Sequence, residues 1–180
     1  MNKSVIINFL LFQIAWFACV IGAAKGIPWL GVGITALAVA WHIYTAKNAK
    51  AALILLTIAL IIGAHFDQAM LFYGFIDYKQ HGWASIFNEN FNNELVPVWI
   101  LALWVGFATS LNVTLRWMRG LHLVAILFGA IGGPLAYLAA QKLGAVTLYG
   151  NQSTIALSIG WAIITPILLL IATKFDGHQT

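Results

Sequence analysis

The sequence predicts an all-α integral membrane protein: a bundle of about six transmembrane helices in one domain, with both ends on the cytoplasmic side. Three observations predict it. Hydrophobic residues make up 62% of the 180-residue chain and charged residues 8%, which is too apolar for a soluble domain and short enough for a single bundle. Apolar segments of roughly twenty residues recur, the length that a hydrocarbon core of about 30 Å requires. Finally, Gly129, Gly133, Ala136, Ala140 and Gly144 fall on one helical face, a bare stripe against which a neighbouring backbone can pack closely.

The first span, residues 5–24, follows Lys3 and ends at Lys25-Gly26-Ile27-Pro28. Its apolar core exceeds the length of a cleaved signal peptide and carries Asn8 and Gln13, so a retained helix is expected. The second, 28–46, holds His42 and stops at Lys47-Asn48-Ala49-Lys50. The third, 51–75, begins aliphatic and turns polar at His65, Asp67 and Gln68. Residues 76–96 form the one substantial loop, expected outside the membrane. Within it Trp83, Ile86, Phe87 and Phe91 are spaced like one face of a short interfacial helix, although their polar surroundings suit an ordinary loop as well. Residues 97–118, 120–141 and 153–173 complete the set. The fifth span carries Gly132-Gly133-Pro134; the proline leaves the Ala130 carbonyl without its helical donor, so that acceptor needs another partner in lipid. This span is expected to be central, the most buried of the bundle, and to line a cavity.

Charge placement orients the bundle. Lys3, Lys47, Lys50, Arg116, Arg119 and Lys174 fall at one set of ends, whereas Lys25, Lys79 and Lys142 fall at the other; the basic side is the cytoplasmic one. Trp29, Trp41, Trp99 and Trp117 lie at helix ends, where indoles favour the interface. The positive balance of nine Lys and Arg over five Asp and Glu fits this topology and anionic lipid headgroups, and no nucleic-acid partner is expected. Cys19 is the single cysteine; no internal disulfide can form, and its ordinary role is packing.

The chain has no Gly-x-Ser-x-Gly, no His-Glu-x-x-His, no phosphate-cradling glycine loop and no cysteine pair. No metal site and no cofactor are therefore expected. Polar residues inside spans remain as candidates, because they are costly there. By depth, Asp67 shares a level with His65, Gln68, Tyr73, Tyr137 and Gln141. His65 and Asp67 point about 200° apart on one helix and cannot be each other's first partner. Asp67 shares its face with Gly63 and Gly74, so it should meet a close neighbour, either Tyr137 or Gln141 of the fifth helix or the region of Gln13. Asp67, His65 and Tyr137 are the catalytic candidates; interhelical hydrogen bonding is the ordinary alternative for each. Thr109, Asn112 and Arg116 share a face of the fourth helix, and Arg116 with Arg119 is expected to anchor the interface.

Phe12-Gln13-x-x-Trp16-Phe17, His42, Gly63-x-x-x-Asp67, Leu103-Trp104-x-x-Phe107 with Leu115-x-Trp117, and the segment from Gly129 to Tyr137 together resemble a small bacterial multi-pass inner-membrane family known only as a domain of unknown function, number twenty-eight seventy-eight. The likeness covers nearly the whole chain. It implies a bacterial cytoplasmic-membrane location and supplies no activity; relatives beside genes for fatty-acyl modification, including cyclopropane-type synthases, turn it toward membrane lipid chemistry. The motif residues carried over are Gln13, Trp16, His42, Asp67, Trp104, Gly132, Gly133, Pro134 and Tyr137. The candidate binding residues are Gln13, Trp16, His42, Gln68, Asn112, Gly132, Gly133 and Pro134.

Three function classes stay open. An enzyme or accessory subunit in membrane lipid or fatty-acyl modification would use Asp67, His65 and Tyr137 as a polar site among acyl chains. A small transporter or channel module would use the proline-broken helix as a cavity wall. A structural assembly partner would need neither. Membrane lipids are the expected partners, together with other membrane proteins or a second copy of the chain.

Overall fold

The computed structural model describes residues 3–79 and 95–179. The interfacial helix expected around Trp83, Ile86, Phe87 and Phe91 lies outside the described residues.

Six α-helices carry the fold: α1 (Lys3–Ala24), α2 (Pro28–Thr45), α3 (Ala49–Phe72), α4 (Val98–Leu111), α5 (His122–Lys142) and α6 (Gly150–Lys174). Four of them, α1, α3, α5 and α6, are long and apolar enough to cross a membrane, and the chain is a multi-pass membrane protein. Large apolar side chains cover its outside, among them Leu37, Phe72, Leu123 and Ile131, as expected where lipid and not water is the solvent. Local chemistry sets several of the boundaries. Pro28 occupies the first turn of α2, where its missing amide costs nothing. The Asn48 side chain accepts from the Ala51 amide at 3.0 Å and so caps α3.

The fourth span is not one helix. α4 ends at Leu111, and the chain turns through a single 3-10 turn at Arg116–Met118 before α5 begins. At 14 residues α4 is only about 21 Å long. Asn112 stands at its C-terminal cap, its side chain donating to the Phe175 carbonyl at 2.9 Å. α6, in contrast, begins three residues before the expected 153, at Gly150.

α3 and α5 end alike. Gly74 and Gly144 take φ of +69° and +84°, and the amides that follow turn back onto the last turn, Phe75 to Met70 and Ala145 to Ala140. This is the glycine C-cap that lets a helix stop and reverse. Each cap feeds a three-residue strand, β1 (Ile76–Tyr78) and β2 (Val146–Leu148), paired antiparallel with Tyr78 opposite Val146. The start of the expected loop is thus ordered structure, and Gly74 belongs to this turn, not to the face of Asp67.

α5 is not the centre. It packs chiefly on α6, whereas α4 touches α1, α2, α3 and α6. Leu123, Ile131 and Leu135 of α5 face outward, while Trp99, Trp104, Ala108 and Leu111 of α4 are buried. The bare stripe of α5 has a more specific use. Gly129 and Gly133 admit the backbone and indole of Trp161 on α6; a β-carbon at either position would overlap them. The small residues therefore make a notch for one large side chain in a neighbouring helix.

Both ends of the described chain lie at the same end of the bundle. Asn8 of α1 donates to the Thr109 carbonyl of α4 and accepts from Thr114 at 2.6 Å. The Asn48 amide, at the start of α3, donates to Gly177 at 3.1 Å. Trp99, expected at the interface, is buried instead, its indole donating to the Lys79 carbonyl at 2.9 Å.

Candidate functional site

Asp67 sits on the buried face of α3, four residues after Gly63. That glycine leaves room for the ring of Trp104, which lies where a β-carbon would be. Trp104 stacks in turn on Trp161, with ring centroids 4.8 Å apart and planes 9° from parallel, and Trp161 fills the notch of α5. Two indoles thus stand in line between glycines of α3 and α5. The line fixes where the Trp104 N–H points, and it donates to Oδ2 of Asp67 at 2.5 Å.

Two hydroxyls complete the environment of the carboxyl. Tyr137 of α5 and Tyr78 of β1 both donate to Oδ1, at 2.5 and 2.6 Å. The strand pair explains Tyr78: β1 turns back over the end of α3 and places its ring against Trp99. Asp67 has no accessible surface. Its hydrogen bonds come from α4, α5 and β1, so three elements converge on one side chain.

Beside this centre is a cavity of about 390 Å³, within the range of small-molecule sites. α1 and α5 form its facing walls, with α4 between them; Asp67, Tyr137, Trp104 and Trp161 line one region of it. Gln13 and Trp16 of α1 and Gly132 and Gly133 of α5 belong to the same lining. Gly132 borders open space, with only the Phe128 ring near where a β-carbon would sit. The wall is overwhelmingly apolar and aromatic, and Asp67 and Gln13 are its two amide- or carboxyl-bearing side chains.

The structure separates the other candidates from this place. His65 faces outward and bonds the Ile61 carbonyl of its own helix at 2.7 Å. It does not join Asp67 and Tyr137 in a catalytic set. Gln68 accepts from the Val96 amide, and Gln141 accepts from the Leu148 amide; both tie down the strand pair and its flanks. Pro134 is buried in α5 and stands outside the cavity lining.

His42 and Asn112 belong to a second cluster at the far end of the bundle. There Asp176 bridges Arg116 at 2.8 Å and Arg119 at 2.7 Å. Arg119 also bonds the Asn112 side chain and the Ala172 carbonyl, and Arg116 bonds the His178 carbonyl at 2.7 Å. The rings of His42 and His178 lie 4.2 Å apart. Burial alone would raise the pKa of Asp176, but the Arg119 hydrogen bond, the His178 amide and the two guanidinium charges hold it below the ordinary carboxylate value. Burial foremost depresses His178, and the Arg116 charge adds to this against the pull of Asp176. The two arginines therefore share one carboxylate of the C-terminal segment, a partner that lies beyond the last predicted span.

Tyr78, Trp161 and Asp176 are absent from the sequence-derived candidates. Trp161 carried the one available signal, an indole in mid-span away from any interface; Tyr78 lay within the expected loop.

A family model described as protein of unknown function DUF2878 matches residues 5–167, nearly the whole chain. The chain belongs to that family. All four members of the Asp67 centre and the whole cavity lining fall within the matched region. No curated protein and no solved structure matches the chain.

Proposed function

We propose that this DUF2878 protein holds the chain of an amphiphile in the cavity between α1 and α5 and serves membrane lipid or fatty-acyl modification, as accessory subunit or enzyme. The observation that supports this is the cavity itself: apolar walls of two helices with a polar centre in the wall, inside a bundle whose outside is apolar. Such a site takes an alkyl chain along its length and orients one polar group toward the wall that holds Tyr137 and, behind the surface, Asp67. An enzyme of this kind would use those two side chains for proton transfer.

The proposed setting is a bacterial inner membrane crossed six times, with both ends cytoplasmic. Lys3, Lys47, Lys50, Arg116, Arg119 and Lys174 collect at the end of the bundle where both termini lie, in keeping with the cytoplasmic excess of basic residues. α2 and α4 would cross as the shorter members, α4 buried among its neighbours and α2 largely facing outward.

A transporter or channel module is the second reading, supported by Pro134 in the helix that walls the cavity. Lipid analysis of cells with and without the gene, combined with mass spectrometry of the protein released from nanodiscs, tests the two. The lipid reading expects an altered acyl profile and a co-purifying chain-bearing molecule lost in Gly132→Trp, which fills the cavity from its open side. An unaltered profile with no bound amphiphile overturns it.

A further inference from the structure

We propose that the polar group received beside Asp67 is a cation, so that the ligand is a singly charged hydrophobic amine or quaternary ammonium compound. This rests on the reading of the cavity as an amphiphile site and names the charge of its occupant.

The first argument is how Asp67 is compensated. Its three partners, Trp104, Tyr78 and Tyr137, are neutral donors directed at both carboxylate oxygens; a buried carboxyl so placed takes either a proton or a neighbouring cation. Among the described residues the ion pairs are those of Asp176, and none reaches Asp67. A carboxylate offers about four acceptor positions; the third donor leaves one of those on Oδ2. Asp67 has no accessible surface of its own yet forms part of the cavity wall. A cation in the cavity is attracted across that wall through a medium of low dielectric and needs no direct contact.

The second argument is the lining. Trp16, Phe17, Phe107, Phe128 and Trp161 present aromatic rings to the cavity, and aromatic faces attract alkylated ammonium groups strongly when water is excluded. The third is a selection against phospholipid headgroups. No lysine, arginine or histidine stands among the described lining residues, so a phosphate drawn in would find no charged partner among them. A zwitterionic headgroup is disfavoured, whereas a lone positive charge on an alkyl or aryl body is accommodated.

The full chain in lipid nanodiscs, titrated with tetraphenylphosphonium, tetraphenylborate and 1-dodecanol against matched empty nanodiscs, tests this by calorimetry and tryptophan fluorescence. Tetraphenylphosphonium should bind saturably, with tetraphenylborate at least about tenfold weaker although its shape is the same. Asp67→Asn should remove that preference, and Gly132→Trp should remove binding of the cation and of dodecanol together. Equal affinity for the two ions in the unaltered protein overturns the cationic class whether or not the Asn variant folds. Dodecanol binding that Gly132→Trp abolishes, alongside such equality, leaves the cavity reading standing; the absence of binding by all three probes defeats both.

Discussion

Asp67 and Asp176 are the same side chain withdrawn from solvent in the same bundle, and they are held by opposite means. Asp176 meets two guanidinium groups and a backbone amide, so its charge is cancelled on the spot. Asp67 meets two phenols and an indole, which spread the charge without cancelling it. A fully paired ion locks chain segments together and has nothing left to offer; one supported only by dipoles keeps a net field that a ligand or a proton can answer. By that criterion the Asp176 cluster is a clasp and the Asp67 centre is a site.

The comparison can be broken in several places. The largest effect is expected at the notch that supports the site: Gly133→Leu should cost about 3 kcal/mol or more by driving a side chain into Trp161, read as lost thermal stability in detergent. A variant as stable as the parent would contradict the indole line. Asp176→Ala leaves two arginines without their anion. Because Arg116 is partly exposed, about 1–3 kcal/mol is expected, below the figure for a sealed pair. Asp67→Asn should be milder for folding, about 1 kcal/mol, since the amide keeps its oxygen acceptor and approximate shape, while impairing any activity in a complementation assay. Should Asp67→Asn unfold the protein and Asp176→Ala leave it intact, the roles of clasp and site are reversed.

A finer separation comes from pH. The pKa values of Asp176 and His178 are both depressed in the folded chain, so each contributes stability above its unfolded value that is lost as pH falls. Melting temperature should decline as pH drops below about 6.5, through His178, and again below about 4, through Asp176. His178→Ala should weaken the first decline without abolishing it, because the His42 ring 4.2 Å away belongs to the same cluster, and should leave the second. The smallest effect belongs to Gly132→Leu, which enters open space and should alter stability by less than about 0.5 kcal/mol; a large loss would place that residue against a neighbour.

The helices were legible because membrane thickness imposes length and composition, and Asp67 was legible because depth can be counted along a helix. Its contact with Tyr137 followed from the same count, two donor-bearing levels on different helices. What composition could not convey was anything set by a turn. Tyr78 reaches Asp67 only because Gly74 and Gly144 reverse two helices into paired strands, and nothing in an apolar run announces that register. The break at Asn112 was hidden because the residues after it remain apolar enough to continue a span, and the bond that Asn112 makes there goes to Phe175, 63 positions away. The stripe on α5 signalled close packing correctly. It did not signal position, since small residues tell how near a neighbour comes and not whether the helix stands at the middle or the edge.

The clasp also carries information about time. Arg116 and Arg119 precede Asp176 by 60 and 57 residues, so during synthesis they leave the ribosome with α5 and α6 still to come. Until the last helix is in place their charges must rest against water and headgroups, where they resist being drawn across the bilayer. Arrival of Asp176 then gives both a common anion and joins the ends of α2, α3, α4 and α6. In the proposed topology the same two side chains would serve first as a brake on translocation and afterwards as the catch that closes the finished bundle, and a chain halted before residue 176 would keep the brake without the catch.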